Sequence, residues 1–371
     1  MAAWAAVELS FAVRSRPEFI HRGGAEDAEV RRENQDGLLW AVFPLRYLCG
    51  SAVKAVGIGP LRAENSRTRH ESLRQPDVRR LPTIRAVNLL NADLHCHSVV
   101  SDGTLQPEAL AQRAKANGVE LWSLTDHDEV DGQRRAAAAA RSLGLDYLSG
   151  CEVSVSFIGT TVHIVGLGFD ADDRTLRDGL AATRGGREQR ARAMSDALAR
   201  AGIRGAFEGA LKHVGNPELI SRTHFARHLV ESGVCASTDE VFRRFLTEGK
   251  PGYVPHRWAG LGDAVHWITG AGGMAVIAHP GRYRFTPTEE YALFTEFIAH
   301  GGRGVEVVTG SHTTAEYAKY ADMALEFGLL ASRGSDFHSP EESHTDLGAL
   351  PDLPGRLTPV WSALQPRVQR A

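Results

Sequence analysis

The amino-acid sequence predicts an α/β protein with a parallel sheet. From Asn91 onward, short apolar segments typical of strands alternate with longer segments typical of helices, and this alternation indicates a parallel sheet. Histidines and acidic residues repeatedly stand where strand character stops. Because barrel enzymes carry their chemistry at the carboxyl ends of their strands, both observations favour a barrel with a site at one end.

The elements follow from the apolar pattern in chain order. We predict strand 91–97, helix 106–117, strand 120–125, helix 131–143, and strands 145–149, 151–157 and 161–169. Gly118 and Gly144 stand at the position where a helix commonly ends. After residue 265 we predict strand 274–278, helix 288–300, strand 304–308, helix 313–327 and strand 329–333.

Between these two halves the pattern changes to helices alone. We predict Arg-rich helices at 174–201, 217–232 and 238–248. The sequence therefore divides into barrel segments 89–172 and 266–350, a helical insertion 173–265 that caps the barrel mouth, and a C-terminal tail 351–371. Residues 1–88 lack a sustained helix or strand period, and we predict that they form a poorly ordered extension.

Composition excludes several classes of protein. A net charge of −3 argues against a surface that coats nucleic acid. The four cysteines form no Cys-x-x-Cys pair, which disfavours a disulfide framework or a structural zinc knuckle. The sequence has no run of 18 apolar residues to cross a membrane and no secretory signal. We expect a cytoplasmic protein without membrane association or an obligate protein partner.

Three short clusters predict a metal site. His95 and His97 are one residue apart, so on a strand both imidazoles point to the same face, and Asp102 follows closely. Thr-Asp-His-Asp at 125–128 ends a second apolar run, and Ser-Asp-Phe-His at 335–338 ends a third. Such clusters at the ends of three separate strands indicate a metal-dependent hydrolase.

These motifs resemble those of the polymerase-and-histidinol-phosphatase (PHP) superfamily. The resemblance also includes Gly-Cys-Glu-Val-Ser around Glu152 and Ala-His-Pro around His279, and runs from about residue 91 to 350. It implies a distorted (β/α)7 barrel with a trinuclear metal centre. The spacing and the helical insertion are most similar to bacterial 3′,5′-nucleoside bisphosphate phosphatases, which also act as 5′→3′ exoribonucleases.

The resemblance implies three metal subsites. His95, His97, Glu152 and Asp336 would hold the first ion. Glu152 would bridge to a second ion, which His163 and His279 complete. The third ion would be held by Asp102, His127 and His338.

Local sequence supports three of these ligands to different degrees. Glu152 lies on a strand that is otherwise apolar inward, where an unpaired carboxylate would be costly. His279 precedes Pro280, which predicts an extended backbone there. His163 lies on an alternating strand, and an ordinary half-buried histidine is the alternative.

Four further residues are candidates for catalysis or substrate binding. Asp126 and Asp128 flank His127 and would orient ligands or transfer protons; for Asp128, a helix N-cap is the alternative. In the related phosphatases an Arg-x-His pair reaches the substrate phosphate, and Arg222 and His224 match it. The alternative for both is an ordinary place on the helical insertion.

The six imidazoles and three carboxylates suit Mn²⁺, Fe²⁺ or Zn²⁺ better than Mg²⁺, and the resemblance favours Mn²⁺. We expect three ions and a substrate that is a nucleoside bisphosphate or a short RNA. Histidinol-phosphate phosphatase activity is the alternative within the same barrel. A non-catalytic PHP module, such as one attached to a polymerase, is a third interpretation.

Overall fold

The computed structural model describes residues 90–371. The predicted extension at 1–88 lies outside these residues. The described chain is a mixed α/β fold in which strands and helices alternate. No helix within it is long and apolar enough to cross a membrane.

The strands of the described residues form two sheets. The first sheet is parallel, with the order β1-β2-β3. Its strands are β1 (Ala92–Asp93), β2 (Leu121–Trp122) and β3 (Asp146–Tyr147). The second sheet has the order β4-β5-β6-β7-β8. Its strands are β4 (Gly150–Phe157), β5 (Thr160–Leu167), β6 (Met274–Ile277), β7 (Gly304–Thr309) and β8 (Leu330–Gly334).

The second sheet is mixed, whereas the sequence predicted parallel strands. β4 pairs antiparallel with β5, and β5 with β6, while β6, β7 and β8 are parallel. Only Ile158 and Gly159 connect β4 to β5. Two residues can join antiparallel neighbours but are too few for the crossover that parallel strands need.

Backbone hydrogen bonds connect the two sheets. The Leu94 N–H donates to the Arg333 carbonyl at 3.1 Å, and the His97 N–H donates to the Phe337 carbonyl at 2.8 Å. On the other side, the Asp128 N–H donates to the Glu152 carbonyl at 2.9 Å. The ends of β1, β2, β4 and β8 are therefore adjacent, and side chains from both sheets meet there.

Helices follow most of the predicted positions. They are α1 (Pro107–Ala116), α2 (Gln133–Ser142), α8 (Leu261–Gly270), α9 (Pro287–Ala299), α10 (Thr314–Glu326) and α11 (Val360–Ala363), with α3 to α7 in the helical segment described next. Gly118 and Gly144 have φ of 78° and 65°, which confirms their position beyond the ends of α1 and α2. Capping boxes with the spacing Thr-x-x-Glu begin α9 and α10.

Residues 173–265 contain helices with an apolar cluster of their own. The helices are α3 (Arg174–Arg184), α4 (Arg187–Arg200), α5 (Ala206–Leu211), α6 (Arg222–Glu231) and α7 (Thr238–Val241), and α7 continues into a π-helical turn, Phe242–Leu246. Leu198, Phe225 and Leu229 are fully buried within this cluster. The single helix predicted at 174–201 is wrong, because Gly185 and Gly186 interrupt it and Gly186 has a φ of 86°.

The C-terminal segment packs on both sheets. The Ala331 N–H of β8 donates to the Thr358 carbonyl at 2.9 Å, and Gln369 exchanges two backbone hydrogen bonds with Tyr147 of β3. Trp361 is fully buried. The segment predicted as a tail therefore contributes to the core, because its tryptophan removes a large apolar surface from water.

Candidate metal centre

The structure brings all nine predicted ligands together at the adjacent ends of the two sheets. They come from the segments after β1, β2, β6 and β8 and from within β4 and β5. The residues are His95, His97, Asp102, His127, Glu152, His163, His279, Asp336 and His338, and several overlapping groups of them could hold a metal ion.

The first predicted set surrounds one oxygen of Glu152 and one of Asp336. Glu152 Oε2 lies 3.3 Å from His95 Nε2 and 3.2 Å from His97 Nε2. Asp336 Oδ1 lies 3.6 and 3.3 Å from the same two nitrogens. The two carboxylate oxygens therefore each face the same pair of imidazole nitrogens.

The second predicted set uses the other oxygen of Glu152. Glu152 Oε1 lies 2.9 Å from His279 Nε2 and 3.0 Å from His163 Nδ1. The two nitrogens are 3.4 Å apart. Glu152 therefore presents one oxygen to each of the first two sets.

The third predicted set is centred on Asp102. Its Oδ1 lies 3.8 Å from His127 Nε2 and 3.4 Å from His338 Nε2. His97 Nδ1 is 4.0 Å away from the same oxygen. Asp102 Oδ2 accepts a hydrogen bond from Thr223 Oγ1 at 3.0 Å, which connects this set to the start of α6.

Several histidine nitrogens and carboxylate oxygens of these residues form no hydrogen bond within the described part of the chain. The buried atoms that lack a hydrogen-bond partner within residues 90–371 include His97 Nδ1, Asp102 Oδ1, His127 Nδ1, Glu152 Oε2 and His279 Nδ1. His127 Nδ1 and Glu152 Oε2 are only 3.0 Å apart. Because an unpaired buried polar atom is costly, lone pairs gathered in this way fit bound cations.

The electrostatics of the cluster also fit divalent ions. Burial disfavours the ionised form of Glu152, yet the imidazoles of His163, His95 and His127 hold its pKa well below its ordinary value. Burial lowers the pKa of His163 to about 4, whereas nearby carboxylates raise the pKa of His95, His97 and His127. A bound cation would displace protons from these imidazoles, because the neutral ring and the ionised carboxylate are the forms that bind metal.

Backbone strain is concentrated at this site. Among the described residues other than glycine, Asp128, Ile158, His279 and Asp336 have positive φ, and three of these four are predicted site residues. His279 has a φ of 25° and a ψ of 58°, so the prediction of an extended backbone before Pro280 is wrong. Strain of this kind persists where the surroundings fix the backbone.

Glu306 contacts two of the predicted ligands and holds them in place, a role that the sequence analysis did not predict. The residue is fully buried in β7. His95 Nδ1 lies 2.8 Å from Glu306 Oε1, and the His279 N–H donates to Glu306 Oε2 at 2.7 Å. The available signal was a glutamate within the apolar strand sequence Gly-Val-Glu-Val-Val, the same signal that identified Glu152.

Asp126 and Asp128 are both buried, and their oxygens are occupied. The carboxylate of Asp126 accepts hydrogen bonds from the Ser98 N–H at 2.7 Å and from Ser101 Oγ at 2.6 Å. Asp128 accepts from the Ser154 N–H at 2.7 Å and pairs with Arg187 of α4. These contacts favour an orienting role over proton transfer. Asp128 is not an N-cap, since α2 begins after Gly132.

The nine predicted ligands are called the ligand cluster below. Arg222 lines a cleft beside this cluster, together with three arginines that the sequence analysis did not predict. The four are Arg187, Arg190, Arg222 and Arg282, and the cleft also contains His127, His163 and His338. Arg282 pairs with Asp336 at 2.8 Å. Burial and the neighbouring arginines lower the pKa of Arg190 to about 10.

Two of these arginines have no charge partner in the part of the chain that the structure describes. Within residues 90–371 neither Arg190 nor Arg222 pairs with a carboxylate: Arg190 Nε donates to the Val254 carbonyl at 3.0 Å, and Arg222 Nη1 lies 3.4 Å from the Leu246 carbonyl. Burial, and then the charge of Arg282, lowers the pKa of Arg222. Uncompensated guanidinium groups in a cleft favour an anionic ligand.

His224 is not among the residues that line this cleft. Its ring is fully buried, and its Nδ1 accepts a hydrogen bond from the Ser221 N–H at 3.0 Å in a capping box at the start of α6. Burial lowers the pKa of His224 to about 4. This geometry favours a role in fixing the helix start over direct contact with a phosphate.

Comparison with known proteins gives one family and close relatives. A family model described as PHP domain matches residues 93–220. A 3′,5′-nucleoside bisphosphate phosphatase of Chromobacterium violaceum is 52% identical over 282 residues, which cover 76% of this chain and 99% of that protein. A 5′-3′ exoribonuclease of Haemophilus influenzae is 40% identical over 269 residues, which cover 72% and 97%.

Two solved structures are also similar to this chain. An amidohydrolase from Chromobacterium violaceum superposes with a TM-score of 0.74 at 52% identity, covering 76% of this chain and 98% of its own. A structure from Bifidobacterium adolescentis, described as a metal-dependent phosphoesterase, superposes with a TM-score of 0.63 at 26% identity. It covers 74% of this chain and 96% of its own.

Proposed function

Because this chain belongs to the PHP family, we propose that it removes the 3′-phosphate of nucleoside 3′,5′-bisphosphates, such as adenosine 3′,5′-bisphosphate, to give 5′-monophosphates. It is a hydrolase that acts on phosphoester bonds, as its relatives are. One observation carries the substrate: the ligand cluster and the arginine-lined cleft lie side by side. Ions held by the cluster would receive the reacting phosphate, and the arginines of the cleft would receive the other.

The metal assignment follows the three sets of donor atoms. The first ion would be held by His95, His97, Glu152 and Asp336, the second by Glu152, His163 and His279, and the third by Asp102, His127 and His338. Imidazole and carboxylate donors together suit Mn²⁺, with Zn²⁺, Fe²⁺ or Mg²⁺ as alternatives. Bound divalent ions offset the charge of a phosphate and lower the pKa of water.

The chain's own residues prepare this site before any substrate arrives. With an ion bound, Glu306 would accept a hydrogen bond from His95 Nδ1–H and leave the Nε2 lone pair, on the side of Glu152 and Asp336, free to bind the ion. Arg282 holds Asp336 Oδ2, so Oδ1 faces His95 and His97. Preorganisation of this kind removes a cost that binding would otherwise carry.

The cleft arginines are held in place by the helical segment and one aromatic side chain. Arg187 lies over the ring of Trp258 at 4.6 Å, and Arg190 lies 5.3 Å from the same ring. A guanidinium group fixed by stacking can meet a phosphate with two parallel hydrogen bonds. The metal-bound and arginine-bound phosphates of one substrate would then define its orientation.

The same cleft would also serve a second activity, the hydrolysis of short RNA. A short RNA presents a chain of phosphates, and the relative from Haemophilus influenzae is a 5′-3′ exoribonuclease. We infer that this protein also degrades short RNA from the 5′ end, with the terminal phosphate on the arginines.

We infer the finer architecture from the same family. The two connected sheets would form a distorted (β/α)7 barrel from residues 89–172 and 266–350, and residues 173–265 would be a helical insertion that caps it. The separate apolar cluster of the helical segment supports this division. Contacts from Arg187 to Asp128 and from Thr223 to Asp102 would hold the insertion over the site.

A panel of phosphoesters tests the function. The purified protein with added Mn²⁺ is assayed on adenosine 3′,5′-bisphosphate, histidinol phosphate and short 5′-phosphorylated RNA. The highest kcat/KM on the bisphosphate supports the proposal. A higher kcat/KM on histidinol phosphate would overturn it in favour of the alternative phosphatase, and no hydrolysis of any substrate would favour a non-catalytic module.

A further inference from the structure

A second group of metal-type side chains lies in the helical segment, outside the ligand cluster. His228 and Glu231 are three residues apart on α6, so they share one face of the helix. His213 follows α5 and faces them. One donor atom from each of the three residues lies within 4.8 Å of the others, and His213 Nε2 lies 3.1 Å from Glu231 Oε2.

The position of the His228 ring is fixed by the packing of α5 on α6. A Cβ atom on Gly209 would lie 2.2–2.3 Å from three atoms of that ring, so the absence of a side chain at Gly209 leaves the space that the ring fills. Meanwhile His228 Nδ1 is buried and has no hydrogen-bond partner within the described residues. An unpaired buried nitrogen needs an explanation, and a nearby carboxylate and second imidazole suggest a shared cation.

We propose that His213, His228 and Glu231 bind a divalent transition-metal ion, with Zn²⁺ as the preferred ion, at a site separate from the PHP ligand cluster. Two imidazoles and one carboxylate, with a fourth position open to water, form a common zinc ligand set, whereas Mg²⁺ and Ca²⁺ prefer oxygen donors. Tetrahedral zinc donors lie roughly 3.3 Å apart, close to the distance between His213 and Glu231.

The three ligand atoms lie within 4.8 Å of one another, so they would move together by up to about 1.5 Å to bind a tetrahedral ion. The side chain of Glu231 is 63% exposed and that of His213 is 23% exposed, so both have room to rotate towards the fixed ring of His228. Burial lowers the pKa of His228. The neutral ring that results is the form that binds metal.

An ion at this site would join α5 to α6. The first residues of α6 contact the catalytic side of the molecule, since Thr223 donates to Asp102 and Arg222 lines the cleft. The ion would therefore brace the helix that carries these residues, and it would stabilise the folded protein by mass action.

Metal content tests the site independently of catalysis. The full chain and its variants are dialysed against Zn²⁺, and the bound zinc per chain is measured by mass spectrometry. We expect His213→Asn and Glu231→Gln each to retain one zinc ion fewer than the wild type. The matched control is His344→Asn, because His344 is an exposed histidine 3.4 Å from Asp239 and belongs to no group of three candidate ligands among the described residues.

Equal zinc content in the wild type and in both variants would overturn the proposal and leave an ordinary ion pair between His213 and Glu231. Phosphatase activity with Mn²⁺ and the circular dichroism spectrum are recorded for the same samples, so loss of folding is detected directly. The zinc count does not depend on which phosphoester is hydrolysed, so its failure is distinct from failure of the proposed function.

Discussion

The ligand cluster and the cleft beside it have opposite electrostatic character. In the cluster, Glu152, Asp336 and Asp102 remain ionised despite burial because imidazoles surround them. In the cleft, Arg190 and Arg222 lack a carboxylate partner within the described residues. The cluster is thus arranged to bind cations and the cleft to bind an anion.

The cluster and the cleft would therefore contribute differently to phosphoester hydrolysis. Under the proposed function, side chains of the cluster would act on every phosphoester, because any reacting phosphate would meet the ions that they hold. Side chains of the cleft would act only on substrates with a second phosphate. Substitutions in the two regions should therefore differ in substrate dependence as well as in size.

The largest effect is expected from a residue proposed to bind an ion directly. Asp336→Ala removes the carboxylate whose Oδ1 faces both His95 and His97. Substitution of residues that only contact metal ligands costs up to about 100-fold in activity, so loss of a ligand itself should cost more than that. The loss should be equal for adenosine 3′,5′-bisphosphate and for an aryl phosphate, and metal content should fall. Exposed Asp196→Ala on α4 is the control, and full activity with normal metal content in Asp336→Ala would contradict the ligand assignment.

Glu306→Gln tests the residue that sequence reasoning missed. The amide keeps the size of the side chain but removes the charge that faces His95 and His279. We expect Mn²⁺ affinity or activity to fall about 10–100-fold, again on both substrates. The measurement is kcat/KM as a function of Mn²⁺ concentration, and exposed Glu326→Gln is the control. An unchanged Mn²⁺ dependence would show that Glu306 only fills space.

Arg222→Ala should separate the two regions. Loss of a charge-assisted hydrogen bond is worth about 1.5–3 kcal/mol, so kcat/KM for adenosine 3′,5′-bisphosphate should fall roughly 10–150-fold. Hydrolysis of the aryl phosphate should change little, and metal content should stay the same. Because a lysine lacks the planar fork, Arg222→Lys should restore only part of the activity.

Equal losses on both substrates would place Arg222 at the reacting phosphate or in support of the fold. Exposed Arg204→Ala, in the same helical segment, controls for a general loss of positive charge. If Arg222→Ala affects neither substrate, the bisphosphate proposal would rest on family resemblance alone.

The smallest effect is expected outside both regions. The sequence of residues 1–86 shows no sustained period, and the relative from Chromobacterium violaceum is matched over 99% of its length by 282 residues of this chain. Deleting residues 1–86 should leave the Tm and kcat nearly unchanged. A scanning calorimetry measurement that shows a large fall in Tm would reveal a folded element in this segment.

Local sequence patterns predicted much of the fold because the features that they indicate depend on neighbouring residues in the chain. Gly118 and Gly144 ended the helices where expected, since glycine adopts a positive φ without a Cβ penalty. The Gly185–Gly186 interruption was missed because the amphipathic pattern continues across it. The antiparallel pairing of β4 with β5 followed from a two-residue connection that the sequence contained but strand alternation did not reveal.

The residues of the candidate site likewise divide into those that local motifs predicted and those that only the structure revealed. The histidine and acidic motifs at the strand ends identified the metal-type residues, because that chemistry is a property of the side chains themselves. Glu306 lay among apolar residues without a motif, and Arg187 and Arg190 looked like ordinary charges of an amphipathic helix. Their roles depend on which side chains they face.

The sequence by itself determined which metal-type side chains the cluster contains, since imidazoles and carboxylates keep their metal-binding chemistry in any packing. The tertiary structure alone decided the backbone of His279, where the hydrogen bond to Glu306 accompanies a conformation that the following proline disfavours. It also decided that Arg222 faces the cleft while His224, two residues later, is buried at the helix start. Helix rotation and burial depend on contacts between distant segments, which a local pattern does not contain.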